Sequence, residues 1–249
     1  MAKTTITSSS TSTSTSTNGS TSDKVANQTT AAVDDIFGAT LGVTEDSNSG
    51  SYKLNVLAND PGSAKLLGLY TQAPSTPSTG TPNTATTVKG ANVSINGDGT
   101  INYQPTSVSS AKFQHLAKGA TETDSFAYVI KMSNGALSTA VVNVTVMGDN
   151  DIAKIVNVTG TTLTIGEDSA STIGGNMTVS DVDDGESLMT GASGQYGSVS
   201  FSGAVGKAQT WTYQLNADAQ TLTKNDVVTE KLTVQSKDGT ATKTIEVTI

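Results

Sequence analysis

Between Ser180 and Ser187 the chain reads SDVDDGES, which places Asp181, Asp183, Asp184 and Glu186 within six consecutive positions. Carboxylates this dense repel one another. Either the run is a solvated loop, or a cation neutralises it. Similar acids recur as Asp149-Asn150-Asp151, Glu167-Asp168, Asp34-Asp35, Glu45-Asp46 and Asn59-Asp60. Carboxylate, amide and carbonyl oxygens are the ligands of a hard cation such as Ca2+, which takes about six to eight of them. Paired acids could also serve glycoside hydrolysis, but no cleft-forming pattern or aromatic platform accompanies them. The single histidine, His115 in KFQHLAKG, has no partner signal. No Ser-His-Asp set, phosphate-binding loop or dinucleotide fingerprint is present, so the chain does not read as an enzyme.

The rest of the composition narrows the class. The 249 residues allow one large domain or two of about 100–125 residues. Aromatics make up 4 % and charged residues 14 %, the balance being rich in Thr, Ser, Val, Gly and Ala. That mixture favours strands and turns over helices. The net charge is -8 and every basic residue is a lysine, which disfavours a nucleic-acid partner and favours divalent cations. The chain has no cysteine, so disulfides and thiolate metal sites are excluded. No apolar run approaches the roughly 20 residues of a membrane span. The N-terminus lacks the apolar core of a secretory signal, so a secreted product would use another export route or have lost its signal. The six Asn-x-Ser/Thr sequons carry little weight in so Thr-rich a chain.

Three parts must position the acids. Residues 1–30 contain eighteen Ser or Thr and one acid, Asp23. Such an arm cannot build a core; it reads as a flexible linker, or as a Thr-dense strand awaiting a partner. Residues 31–151 alternate in SYKLNVLAND, form a hairpin in ANVSINGDGTINYQP, and give two more strands around Ser133-Asn134-Gly135. Residues 71–87 read as a Pro/Thr-rich loop, and a short helical piece is expected only near Ala111 to Ala117. Residues 152–249 repeat the style in TTLTI, GNMTVSD, GSVSFSG, QTWTYQLN, EKLTVQSKDG and TKTIEVTI, with Trp211 the expected centre of a second core. The fold class is therefore all-β, two tandem β-sandwiches behind an extended arm. Each half opens on Glu-Asp-Ser, reaches an acidic turn 13 to 15 residues later and ends on a Gly turn and a final strand. This is internal repetition at roughly 115 residues.

These motifs resemble known modules. VDDIF, VTEDSNSGSYKLNVLAND, INGDGTINYQP, DSFAY and VTVMGDND make residues 33–151 similar to the cadherin-like, Ig-like repeats of bacterial surface adhesins. GEDSASTIGGNMTVSDVDDGES, GQYGSVSF, WTYQLNADAQTL and TVQSKDGTATKTIEVTI make residues 152–249 similar to a VCBS repeat. The resemblance implies an extracellular, Ca2+-stiffened structural or adhesive role without catalysis, at a bacterial surface or in its surroundings. Two departures stand out: Pro61-Gly62-Ser63 follows LAND where the family adds an Asp, and Asn134 stands where the family has Asp in the Gly turn.

Taken together, the expected ligands are Asp149, Asn150 and Asp151 at the junction with Glu167, Asp168, Asp181, Asp183 and Asp184 of the second module. The equivalent set in the first is Asp34, Asp35, Glu45, Asp46, Asn59 and Asp60. Solvated loop acids remain the alternative, and Asn96 to Thr100 reads as a turn only. The expected function is an extracellular Ca2+-stiffened protein that self-assembles into a filament, matrix fibre or surface layer, with the arm donating a strand to the next copy. The alternatives are an adhesive or glycan-binding module of a larger surface protein, or an accessory region of a secreted enzyme.

Overall fold

The computed structural model describes residues 31–249. The arm, with the strand expected in it, lies outside the described residues.

The first sandwich is built from β1 (Asp35–Phe37), β2 (Tyr52–Leu54), β3 (Lys65–Tyr70), β4 (Thr84–Thr86), β5 (Asn92–Ile95), β6 (Ile101–Gln104), β7 (Thr121–Lys131) and β8 (Leu137–Met147). Its sheets run β1-β8-β7-β3 and β2-β6-β5-β4. The Asn-Gly turn after Met132 sets the register of the long β7–β8 hairpin, which pairs Lys131 with Leu137 and Thr121 with Met147. Gly135 there sits at φ +83°, a backbone state that glycine enters without a steric penalty. Alternation then turns Phe126, Tyr128, Ile130, Val142 and Val144 onto Leu54, Val93, Ile101 and Tyr103 of the facing sheet. Each of these large side chains is at most 1 % exposed, and burial of each stabilises by roughly 1.5–3 kcal/mol.

The second sandwich has β9 (Lys154–Val156), β10 (Thr162–Thr164), β11 (Ile173–Ser180), β12 (Met189–Thr190), β13 (Ala192–Ser193), β14 (Gly197–Ser202), β15 (Gln209–Leu215), β16 (Thr229–Ser236) and β17 (Thr242–Thr248). They form sheets ordered β10-β17-β16-β12 and β13-β14-β15-β11-β9. Trp211 is fully buried among Met177, Tyr213, Leu232, Val234, Ile245 and Val247, as expected. Its indole N–H donates to the Thr159 carbonyl at 3.2 Å, so the ring is anchored as well as packed.

Two local expectations shift. The helical piece is α1, Ser107–Ser110, ahead of Ala111. Thr106 Oγ1 accepts the Ser109 N–H at 3.2 Å and Ser109 Oγ accepts the Thr106 N–H at 2.8 Å. This reciprocal cap starts the helix where apolar periodicity alone does not. The segment 71–87 is not loop throughout, because its last residues form β4 against β5. Its alternating Thr side chains suit a pleated edge even though the preceding prolines do not.

Between the sandwiches, β8 runs directly into Gly148 and the acidic linker. A Cβ on Gly148 would stand 2.2 Å from the Leu116 carbonyl oxygen and 2.4 Å from that of Ala117, so only glycine lets the chain leave at this angle. From the other side, the Asp184 N–H donates to the His115 carbonyl at 2.9 Å. The histidine thus contributes its backbone to the junction while its ring stays half exposed, 3.6 Å from Glu122.

Candidate metal centre

Two buried acids define what a satisfied carboxylate looks like in this protein. Asp124, 1 % exposed, accepts from Thr87 Oγ1 at 2.6 Å, Tyr103 Oη at 2.9 Å and the Lys89 N–H at 2.9 Å. Glu230 accepts from Tyr213 Oη and the Tyr196 N–H, both at 2.8 Å. Each sandwich therefore pairs a buried acid with a buried tyrosine, and every oxygen has a donor. These acids stabilise the cores.

The junction acids are different. Glu45 follows a short parallel bridge between Thr44 and Met147, which sets it beside the exit of β8. Asp151 ends the linker, and Asp183 lies in the turn after β11. Each offers an oxygen within 4.8 Å of the others. Glu45 is 1 % and Asp183 3 % exposed. One oxygen of each is committed: Glu45 Oε1 accepts the Asp149 N–H at 2.7 Å, and Asp183 Oδ2 accepts the Asp151 N–H at 3.0 Å. The other oxygens, Glu45 Oε2, Asp183 Oδ1 and Asp151 Oδ2, are buried without any donor. An unpaired buried carboxylate oxygen is costly, and here three meet.

A second group adjoins through the same turn. Asp181, Glu186 and Asp238 also place one oxygen each within 4.8 Å of one another. Asp181 Oδ2 and Glu186 Oε2 lack donors, while Asp181 Oδ1 accepts the Asp183 N–H at 3.0 Å. Asn150 bridges the groups, its amide reaching the Asp151 carbonyl at 2.6 Å and Asp238 Oδ2 at 3.3 Å. Gly185, at φ +79°, turns the chain so that Glu186 comes back toward Asp181. Lys237 is the nearby cation, but its ammonium donates to the Gly185 carbonyl at 2.9 Å.

Electrostatics follow the crowding. Burial first, then the charges of Asp183, Asp151 and Asp46, push Glu45 up to about 7 against the N–H of Asp149. Burial and the Asp183 charge raise Asp151, and burial with the charges of Asp238 and Asp183 raises Asp181. Asp238 runs the other way: burial raises it, but hydrogen bonds with Ser236, Thr240 and Asn150 bring it down to about 2. Carboxylates that resist ionisation because they are buried and face each other are relieved by a divalent cation. The carboxylate oxygens fit a hard cation such as Ca2+, while Asn150 presents its amide N–H groups to Asp151 and Asp238.

The other expected ligands lie elsewhere. Asp34, Asp35, Asn59 and Asp60 gather at Tyr128, whose hydroxyl is 3.0 Å from Asp35 Oδ2 and 2.9 Å from Asp60 Oδ2. Asp60 Oδ1 also accepts the Val33 N–H at 2.8 Å, Asp34 Oδ1 accepts the Val141 N–H at 2.8 Å, and Asn59 donates to the Asp34 carbonyl at 3.1 Å. Glu45 leaves this set for the junction, because its segment pairs with the end of β8. Asp46 stays beside the junction, where its charge raises Glu45 and Asp151, and accepts from Gln114 at 3.2 Å. Glu167 and Asp168 belong to neither three-acid group, and the Glu167 carbonyl accepts from Gln220. Asp184 is exposed. Asp98 in the Asn96–Thr100 turn binds Thr100 and pairs with Lys53, as a turn residue does. The expected ligand set lacks Glu186, although it belongs to the acidic run, and Asp238, whose signal is its Lys-Asp-Gly-Thr turn after β16.

No protein-family model matches the chain, and no curated relative does. Among solved structures, the protocadherin gammaB7 EC3-6 cis-dimer aligns at 15 % identity over 88 % of this chain and 46 % of its own, with a TM-score of 0.41. Cadherin domains 3-6 of protocadherin gamma B2 align at 14 % identity, over 86 % and 44 %, with a TM-score of 0.42. Murine CEACAM1b aligns at 11 % identity, over 88 % and 96 %, with a TM-score of 0.37. The chain spans about half the length of the two protocadherin chains. The β-sandwich assignment rests on the strand order and the two cores.

Proposed function

We propose that this protein is an extracellular, non-catalytic structural protein whose two sandwiches are locked in line by Ca2+ at their junction. The observation that carries this reading is the set of three donorless buried oxygens on Glu45, Asp151 and Asp183. They come from the first sandwich, the linker and the second sandwich, so one cation bound there ties all three together. Ca2+ would supply the positive charge that the protein's own lysines do not, and Asn150 and Asp238 would extend the site toward Asp181 and Glu186. The likeness to bacterial surface modules read in the sequence supports a role in a surface layer, matrix fibre or filament. Assembly would proceed by the Thr-rich arm adding a strand to the next copy, which satisfies backbone groups on both partners. Such a head-to-tail contact does not close on itself and so yields a filament.

Electron microscopy of the purified protein, with Ca2+ and with chelator, tests the reading. Straight filaments in Ca2+ and flexible or absent ones in chelator are expected. Monomers under both conditions, with a specific glycan bound, would favour an adhesive module instead.

A further inference from the structure

We infer that the arm of a second copy docks along the open edge of β4, adding a strand to the β2-β6-β5-β4 sheet. This rests on the strand-donation reading above and names its acceptor.

The phase of the β4–β5 ladder identifies which groups are free. The Ile95 N–H donates to the Asn83 carbonyl at 2.9 Å, and the Thr87 N–H donates to the Ala91 carbonyl at 2.8 Å. In an antiparallel pair, bonded positions recur every second residue. Asn83, Ala85 and Thr87 therefore face β5, and the N–H and C=O groups of Thr84 and Thr86 face away from it. Among the described residues those groups have no backbone partner, and the free edge begins at Thr84, because on the same side the Pro82 carbonyl accepts the Leu69 N–H of β3 at 2.9 Å. They form a template for an added strand.

Charge separates β4 from the other edges of the first sandwich. Strands β1, β2 and β3 carry Asp35, Lys53 and Lys65, and charge on an edge discourages pairing. Strand β4, Thr-Ala-Thr, carries none. The exposed sheet face beside it is lined by Thr84, Thr86, Asn92, Ser94 and Gln104, all uncharged. An occupant of matching chemistry is neutral, extended and rich in hydroxyl groups. Residues 1–30 fit, with eighteen Ser or Thr and an uncharged run from Thr4 to Ser22. Thirty extended residues span roughly 100 Å, ample to leave one copy near Ser138, whose hydroxyl accepts the Ala32 N–H at 2.9 Å, and reach another. The second sandwich has an uncharged edge of equal length in β10, which provides the control.

The chain has no cysteine, so introduced thiols report single contacts. Full-length protein carrying Thr13→Cys is mixed with full-length protein carrying Thr86→Cys, or Thr162→Cys on β10, and treated with a short bismaleimide. Crosslinked pairs are expected with Thr86→Cys at several times the Thr162→Cys level. Thr86→Pro removes only an outward N–H, so it should leave the monomer's melting temperature near wild type and cut filament yield at least tenfold. If crosslinking favours neither edge and Thr86→Pro assembles normally, β4 is not the acceptor. If a chain carrying both Thr13→Cys and Thr86→Cys links only within itself, the occupant is its own arm and docking between copies is overturned. If deleting residues 1–30 leaves assembly intact, strand donation itself fails. That result is distinct from an arm that is required but docks elsewhere.

Discussion

Glu45 of the first sandwich and Asp183 of the second each spend one oxygen on a linker N–H, of Asp149 and Asp151 respectively, and each bury the other with no donor. The linker is thus gripped by both sandwiches through the same acids that would bind the cation. On the proposed reading, a cation bound there would make rigidity and metal binding one property, separable from ordinary stability by comparing Ca2+ with chelator.

Ca2+ should raise the melting temperature. At a hundredfold excess over Kd, binding to the native state alone adds roughly 2.7 kcal/mol, which for a chain of this size is on the order of 5–10 °C. Asp183→Asn should remove most of that increment while changing the melt in chelator little. Calorimetry showing one melting curve in Ca2+ and in chelator would sink the metal assignment.

Glu45→Gln tests the coupling between sandwiches. Its amide can still accept the Asp149 N–H but cannot supply a second anionic oxygen. Small-angle scattering should show wild type becoming more extended and less variable on adding Ca2+, and Glu45→Gln responding only at roughly tenfold higher Ca2+ or more. An identical response of the two proteins would place the stiffening elsewhere.

The pH dependence has a definite sign. Glu45 is raised from 4.5 to about 7, so between those values the metal-free native state holds more protons than the unfolded chain. Its contribution to stability is then fully present below about pH 4.5 and is lost as pH rises through 7. Ca2+ competes with that proton, so its affinity should climb over the same interval. Titration calorimetry at pH 5, 6, 7 and 8 (proposed conditions spanning roughly the window of this shift) checks it; affinity flat across the series contradicts the prediction.

Tyr128→Phe provides the contrast. Removing the hydroxyl leaves Asp35 and Asp60 without their shared donor, at a cost of about 1–3 kcal/mol. The loss should be the same in Ca2+ and in chelator, because these acids are committed to the head of the first sandwich. Urea unfolding under both conditions measures it, and a loss confined to Ca2+ would mean that this group also binds the ion.

Periodicity alone makes the two sandwiches legible in the sequence. The alternation in Val93 and Ile95 against Ile101 and Tyr103, and the Asn-Gly turn between β7 and β8, are local rules that operate within a few residues. The importance of Trp211 was equally plain, since one large apolar side chain in a strand has nowhere to go but the core. The acids of the junction were also recognisable as oxygen donors, because that depends on residue type alone. Their partners were not. Glu45 reads as an equivalent of Asp34 and Asp60 in the chain, yet the Thr44–Met147 bridge carries it to the other end of its sandwich, against Asp151 and Asp183. Asp238 joins Asp181 only because β16 returns alongside the turn after β11. The open edge of β4 depends on which strand ends a sheet, and this is fixed by long-range pairing. Residue types and short periods determined which chemistry was available; long-range strand pairing decided which oxygens meet, because that pairing joins positions no local period relates.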